Sequence, residues 1–230
     1  MNIRAVIFDL FGTLITNYDR KEYLSVIEQM GEAVGADPVE FRTLWRKHYV
    51  ERLTGVFKTE SDNIRWVCDQ LGVAPSAPQV EDSNRTYLEY ALPNLETPRD
   101  GAGNVLTELK DRGIQTGLLS DCGPWVPKHW GRFPVSELID FPVYSCSAGI
   151  KKPDPEVYRT VLDGLAVEAQ QAMYVADGNG QELVVAGQLG MRAVRITPWN
   201  APGPTPDADY STDWHGESIG TLGDVLTLLD

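Results

Sequence analysis

Four polar positions carry residue types suited to chemistry at an electrophilic phosphorus or carbon. They are Asp9 in "VIFDLFGTL", Ser120-Asp121 in "GLLSD", Lys152 in "GIKKPDPEVY" and Asp177 in "YVADGNGQEL". A carboxylate such as Asp9 is already ionised at neutral pH and is a competent nucleophile. A serine hydroxyl can donate to a transferring oxyanion, and a lysine can neutralise nucleophile and substrate as a point charge. Backbone N–H groups of the turn at Gly12 and Thr13 can bind anionic oxygens as a nest. Each residue alone also has a plainer reading. A strand-ending Asp is often a turn former or helix cap, Ser120 can simply end a strand, and Lys152 can be a solvated charge like its neighbour Lys151. All four in this order, each near the end of an apolar run, are more specific.

Such positions need a scaffold that gathers strand ends. "IRAVIFDL" is a short, β-branched run ended by a turn, as a buried strand requires. Helix-like apolar spacing follows near residues 20–34, 38–53, 60–72 and 80–91. Asp37-Pro38, Ser61-Asp62 and the segment 75–78 supply starts and breaks. No strand run occurs between Asn17 and Leu95. After "LETPRDG" the pattern alternates: helix "AGNVLTELKDRG", strand "IQTGLLSD", strand "FPVYSCSA", helix "DPEVYRTVLDGLA", strand "QAMYVAD", helix "QELVVAGQLG" and strand "MRAVRIT". A Pro/Gly/Asp loop, "WNAPGPTPDADY", and a closing helix, "IGTLGDVLTLLD", complete the chain. This alternation calls for an α/β core with a parallel sheet and right-handed crossovers. The expected division is a core of residues 1–15 plus 97–230 and an all-helical insert of residues 16–96. Ligands of open parallel sheets bind beyond the strands' carboxyl ends, so an insert leaving from the first strand would cover the site as a cap.

Composition narrows the function. The 230 residues are 42% hydrophobic and 23% charged, with a net charge of −13. A uniformly acidic surface repels nucleic acid and anionic membranes, so neither is an expected partner. A small anionic substrate stays possible, because local cations or a metal can reverse the field in a cleft. Three cysteines, Cys68, Cys122 and Cys146, form no C-x-x-C pair, which favours free thiols and a reducing, cytoplasmic compartment. "MNIRAVIFDL" does not read as a signal peptide, and no apolar run approaches membrane-span length. His48, His129 and His215 are scattered and read as surface or structural residues.

The four motifs resemble those of the haloacid dehalogenase (HAD) superfamily, in the branch with a helical cap inserted after the first motif (C1, subfamily I). The resemblance covers the whole core and implies a HAD-like Rossmannoid fold. It also implies a nucleophilic Asp9, phosphoryl contacts from Ser120, Gly12 and Thr13, and charge neutralisation by Lys152. It implies Mg²⁺ held by Asp9, Asp177 and the main-chain carbonyl of Phe11, few ligands sufficing because Mg²⁺ keeps several waters. Glu182 is either a favourable acid in a helix's first turn or a metal-shell residue with a longer arm than the usual Asp. Asp121 stands where Asn is common, and either bonds locally or adds charge near the substrate. Cys122 reads as a small semi-buried thiol. In a capped fold specificity comes from the insert, here "ERLTGVFKTES" with Arg52 and Lys58.

Phe11 divides the possible activities. The family's phosphatases usually place a second Asp there, which protonates the leaving alcohol and then deprotonates the attacking water. Such a group contributes roughly 10²–10⁴-fold. The family's dehalogenases have a non-acidic residue there, because a departing halide needs no proton. Asp177 argues the other way, since dehalogenases have Ser at that position and need no metal. They also carry a cap arginine shortly before a Leu-Trp-Arg helix. "TLWRKHY" resembles that helix, but "VGADPVEF" before it has no arginine, and Arg42 lies within the helix. The expected activity is a Mg²⁺-dependent phosphatase of a small phosphorylated metabolite with a good leaving group. The alternatives are a 2-haloacid dehalogenase-type hydrolase and a low-activity binding protein of the same fold.

Overall fold

β1 (Ala5–Phe8) is buried along its whole length because the sheet is covered on both faces. Its alternate side chains supply two cores. Val6 and Phe8 join one that includes Leu106, Leu109 and much of the helical insert, while Ala5 and Ile7 join another with Tyr158, Val161 and Ala186. The structure is a computed structural model that describes residues 2–197 and 214–230.

Five helices follow β1: α1 (Arg20–Ala33), α2 (Pro38–Lys47), α3 (Tyr49–Leu53), α4 (Glu60–Gln70) and α5 (Ala77–Glu96). Side chains fix their starts. Asp19 caps α1 through the Glu22 N–H, and Asp37 caps α2 through the N–H groups of Val39 and Glu40. Thr59 and Asp62 form a capping box that starts α4 at Glu60, where the helix expected near 60–72 begins. The expected helix over 38–53 is divided at His48, whose φ of −100° and ψ of 33° are not helical. The helix expected over 80–91 starts earlier, where Ser76 and Gln79 form a capping box, and ends later.

The chain then alternates through α6 (Ala102–Asp111), β2 (Gln115–Ser120), α7 (Trp125–His129), β3 (Phe141–Tyr144), α8 (Ser145–Ala148) and α9 (Pro155–Gly164). It closes with β4 (Ala172–Ala176), α10 (Glu182–Gln188), β5 (Arg192–Ile196), β6 (Glu217–Ile219) and α11 (Asp224–Thr227). The sheet order is β3-β2-β1-β4-β5-β6, and every pairing is parallel. Two expectations need correction. "FPVYSCSA" is half strand: Ser145 turns inward, its hydroxyl accepting the Cys122 N–H at 3.0 Å, and α8 ends on Gly149 at φ 79°. "IGTLGDVLTLLD" is not one helix: its start pairs with β5 as β6, and Asp224 accepts the Gly220 and Thr221 N–H groups before the short α11. The loop "WNAPGPTPDADY" lies outside the described residues. No described helix is long and apolar enough to cross a membrane.

Candidate active site

β1 lies between β2 and β4, so three neighbouring carboxyl ends meet. Asp9 follows β1 and continues its ladder, its N–H donating to Val175 O at 2.9 Å. Ser120 is the last residue of β2, and Asp177 comes directly after β4. All three are buried. The chain leaves β1 through a tight turn in which Gly12 has φ 79° and donates to Ile15 O at 2.7 Å. A Cβ on Gly12 would lie 2.1 Å from Asp177 Oδ2 and 2.5 Å from Asn17 Nδ2. Only glycine permits both that backbone conformation and the close approach of the Asp177 carboxylate. Asn17 Nδ2 donates to Asp177 Oδ2 at 3.0 Å, and the Asn179 N–H donates to Oδ1 at 3.2 Å.

Arg99 locks this turn to the returning chain. Its backbone N–H donates to Leu14 O at 2.7 Å, and its guanidinium donates to Gly12 O and Gly220 O at 3.3 and 3.1 Å. Ile15 bridges Pro98, so the segments leaving and re-entering the sheet run side by side. The insert meets the sheet end at two further places. Glu60 is buried and accepts the Trp125 N–H at 2.6 Å. Gly55, at φ 70°, packs so closely that a Cβ would sit 1.9 Å from Cys146 O.

Lys152 crosses to Asp9 from the loop after α8. Its Nζ donates to Asp9 Oδ1 at 2.5 Å, to Glu182 Oε2 at 2.6 Å and to Tyr174 Oη at 3.2 Å. Glu182 is 1% exposed, and both its oxygens are engaged. Oε2 also accepts from Tyr174 Oη at 2.8 Å, and Oε1 accepts the N–H groups of Gly178 and Asn179 at 3.1 and 2.9 Å. Burial alone would lower the lysine's pKa, but Asp9 and Glu182 outweigh it and hold the ammonium charged. Burial pushes Asp9 up to about 8 against the pull of Lys152, and the charges of Glu182 and Asp177 add to the rise. Asp9 and Glu182 thus share the Lys152 ammonium, and Asp177 acts on Asp9 as a further like charge. Ser120 Oγ and Thr13 Oγ1 are buried with no nitrogen or oxygen partner, so a ligand oxygen can satisfy them.

A cavity of ≈ 270 Å³ opens over Asp9, Lys152 and Asp177, with walls from both the sheet end and the insert. Of the expected substrate contacts, Arg52 and Asp121 line it, whereas Gly12 and Thr13 do not, and their N–H groups, expected to bind anionic oxygens, close the turn instead by donating to Ile15 O and Leu10 O at 2.7 and 3.3 Å. Asp121 is committed locally, however. Its Oδ1 accepts the Lys152 N–H at 3.0 Å and its Oδ2 pairs with Lys151 at 3.4 Å, which ties the third motif's loop to β2 and leaves Lys151 paired rather than merely solvated. Lys58 is exposed and is not a wall residue, because the turn that carries it faces outward. Arg42 pairs with Glu28 within the insert. Cys122 is buried at the cavity wall, and the three cysteines are free.

The donor set fits a hard divalent cation. Asp9, Asp177 and a main-chain carbonyl are all-oxygen ligands, with the buried Glu182 carboxylate as further negative charge nearby. Among the described residues no group of three or more His, Cys, Asp or Glu side chains forms a ready-made metal cage. Glu182, expected as either a first-turn acid or a metal-shell residue, spends both oxygens inside the protein, an arrangement that suits anchoring Lys152. Sequence reasoning overlooked Asn17, Arg99 and Tyr174. Tyr174 sits within an apolar strand run and Arg99 in a re-entry loop, and neither pattern signals a polar partner.

A parallel sheet with a carboxylate at the end of its central strand, a lysine beside it and a helical insert over it defines a HAD-like hydrolase. The comparisons give the family: residues 3–180 match the haloacid dehalogenase-like hydrolases, and the chain belongs to them. Among its relatives is a glyceraldehyde 3-phosphate phosphatase of Pyrococcus abyssi, 32% identical over 198 residues, covering 84% of this chain and 80% of the relative. An (S)-2-haloacid dehalogenase 4A of Burkholderia cepacia is 24% identical, covering 99% of this chain and 95% of the relative. The fold also matches the L-2-haloacid dehalogenase of Xanthobacter autotrophicus, with a TM-score of 0.62 at 18% identity, over 99% of this chain and 98% of that one. A HAD phosphatase from Thermococcus onnurineus matches with a TM-score of 0.64 at 19% identity, over 99% and 98%.

Proposed function

We propose that this hydrolase is a Mg²⁺-dependent phosphatase of a small phosphorylated metabolite with a good leaving group, with Asp9 as nucleophile. The observation that carries the reading is the buried acid cluster: Asp9, Asp177 and Glu182 are all buried, Asp9 and Glu182 share the one Lys152 ammonium, and the charges of Glu182 and Asp177 both act on Asp9. A phosphate dianion would meet strong repulsion there, and Asp9 would resist ionisation, unless a cation balanced the cluster. Mg²⁺ held by Asp9, Asp177 and the Phe11 carbonyl would supply that balance and polarise a phosphoryl oxygen. In this reading residues 1–15 and 97–230 form the catalytic core, and residues 16–96 form the cap. Three free cysteines suit a reducing, cytoplasmic setting.

The chain's own groups then divide the work. Asp9 forms a bond to phosphorus while the ester P–O bond breaks, and the leaving oxygen departs with the electron pair. Lys152 offsets charge at the nucleophile. The partnerless hydroxyls Ser120 Oγ and Thr13 Oγ1 accommodate phosphoryl oxygens. Water then attacks phosphorus, the Asp9–phosphorus linkage breaks, Asp9 is restored and inorganic phosphate leaves with the water's oxygen. Phe11 lies between Tyr18 and Trp125, with ring centroids 5.4 and 6.4 Å away, and supplies no proton to the leaving oxygen. Substrates that leave as weak bases, such as aryl, acyl and sugar 1-phosphates, are therefore favoured.

Phe11 also supports a second reading, a 2-haloacid dehalogenase-type hydrolase, because a halide leaves without a proton. Asp177 weighs against it, since a second carboxylate beside Asp9 disfavours ionisation of the nucleophile. The test is turnover of p-nitrophenyl phosphate and of 2-chloropropionate, each with Mg²⁺ and with EDTA, in the wild type and Asp9→Asn. Phosphate release that needs Mg²⁺ and vanishes in Asp9→Asn is expected. Chloride release in EDTA would replace this reading with the dehalogenase, and Mg²⁺ binding with no turnover of either substrate would leave a binding protein.

A further inference from the structure

The cavity over Asp9 has a second charged pole that reaction at phosphorus does not use. Arg52, on α3, is 6% exposed. Its guanidinium carbon lies 4.6 Å from the Trp45 ring centroid and 5.7 Å from that of Tyr49. Nη1 donates to Trp45 O at 2.8 Å, which uses one of five N–H donors. Neither Nε nor Nη2 is sealed away as a buried, unpaired atom. The cavity's lysines have carboxylate partners: Lys151 pairs with Asp121, and Lys152 with Asp9 and Glu182. Among the described residues Arg52 has no carboxylate within 4 Å, and the buried Glu60 of the same segment accepts the Trp125 N–H instead. A buried cation without a counterion is costly to hold, and stacking on Trp45 fixes this one in orientation rather than neutralising it.

The surface between the two poles is aromatic. Phe11, two residues from Asp9, touches Trp125 at 6.4 Å between centroids. Trp125 meets Tyr87 at 6.3 Å, and these three rings line the cavity; Trp45, beneath Arg52 and 5.9 Å from Tyr87, is fully buried behind them. Rings in such a series offer a face to a planar, apolar body. A ligand with its phosphorus at Asp9 would rest that body on the rings and end at Arg52. The guanidinium's planar fork matches a carboxylate.

We propose that the substrate is a small aryl or enol phosphate monoester whose planar body carries a carboxylate that pairs with Arg52. This rests on the phosphatase reading and extends it to a substrate class. A phenol or enol also leaves as a weaker base than an alkoxide, which suits a site with Phe11 in place of an acid.

The test compares 4-methylphenyl phosphate with 4-(carboxymethyl)phenyl phosphate, whose methylene insulates the phenol so that the two leaving groups are closely matched. In the wild type, kcat/KM for the carboxylate-bearing ester should be higher by about tenfold or more, equivalent to about 1.4 kcal/mol. The ratio should fall to about one in Arg52→Met and be intermediate in Arg52→Lys, which keeps the charge and loses the fork. A wild-type ratio of about one, or a ratio retained in Arg52→Met, would overturn the proposal. Should Arg52→Met fail to fold, an unchanged ratio in Arg52→Lys overturns it instead. Calorimetric binding of 4-(carboxymethyl)benzylphosphonate against 4-methylbenzylphosphonate separates the two readings. If neither ester is hydrolysed, the phosphatase reading fails by itself, and preference for the carboxylate-bearing phosphonate, lost in the Arg52 variants, still supports the Arg52 site. Equal binding of the two phosphonates overturns it.

Discussion

Replacing Glu182 with Gln separates its two possible roles. The carboxylate holds Lys152 at 2.6 Å and Tyr174 at 2.8 Å through one oxygen, and two backbone N–H groups through the other. Glutamine keeps one acceptor oxygen. If that oxygen stays with the Gly178 and Asn179 N–H groups, the amide nitrogen faces the Lys152 ammonium, donor against donor. Tyr174 can rotate its hydroxyl to accept, but an ammonium cannot. Removing one member of a buried ion pair costs about 3–5 kcal/mol. Lys152 keeps Asp9, and Asp9 loses a repelling neighbour, so the cost falls to the upper part of a charged hydrogen bond's range, about 2–3 kcal/mol. For a chain of this size that is a fall in Tm of about 4–12 °C. With Lys152 less well held, kcat/KM should drop by about 100-fold, the scale of a misplaced catalytic group. Mg²⁺ affinity should change by no more than about threefold, because both Glu182 oxygens face protein donors. Urea unfolding, steady-state kinetics and calorimetric Mg²⁺ titration read the three quantities. A tenfold or greater loss of Mg²⁺ affinity with a stability change under about 1 kcal/mol would refute the anchoring argument and make Glu182 a metal ligand.

Asp177→Asn should weaken Mg²⁺ binding in calorimetry and lower phosphate release, with activity partly restored at high Mg²⁺; unchanged affinity would remove Asp177 from the metal shell. Wild-type phosphoryl transfer to Asp9 should depend steeply on leaving-group pKa across a graded series of phosphate esters in single-turnover kinetics. Phe11→Asp should flatten that dependence and raise activity on alkyl phosphates by about tenfold, short of the full acid–base contribution. A flat wild-type series would mean that another group supplies the proton. The same variant should lose about 0.5–1.5 kcal/mol for each ring contact given up with Tyr18 and Trp125.

The local pattern was enough for the class of fold and for four residues that the structure brings together in the candidate site. Strand ends are marked by a change from apolar runs to turn residues, so Asp9, Ser120 and Asp177 could be placed at carboxyl ends without coordinates. The β-α alternation then required a parallel sheet, and the helical spacing from Arg20 onward required an insert. Helix boundaries were less legible: the Ser76–Gln79 capping box started α5 ahead of its apolar pattern, and His48 divided a continuous one. β6 was missed because three residues gain strand character only from a neighbour to pair with. Side-chain partnership was decided by tertiary structure alone. Glu182 and Lys152 are 30 residues apart, and Asp121 and Lys152 are 31 apart. Nothing in either local pattern says that one acid anchors the lysine's ammonium and the other its backbone. Asn17 reaches Asp177 across 160 residues, and Arg99 reaches Gly12 across 87. Lys58 and Arg52 looked equivalent in one polar stretch, yet one faces solvent and the other is buried on Trp45. Residue type and spacing report which chemistry a chain can perform, because they follow from covalent structure and local propensity. Which charge meets which is set by packing, because hydrogen bonds and ion pairs depend on distance through space, and the fold alone converts sequence separation into that distance.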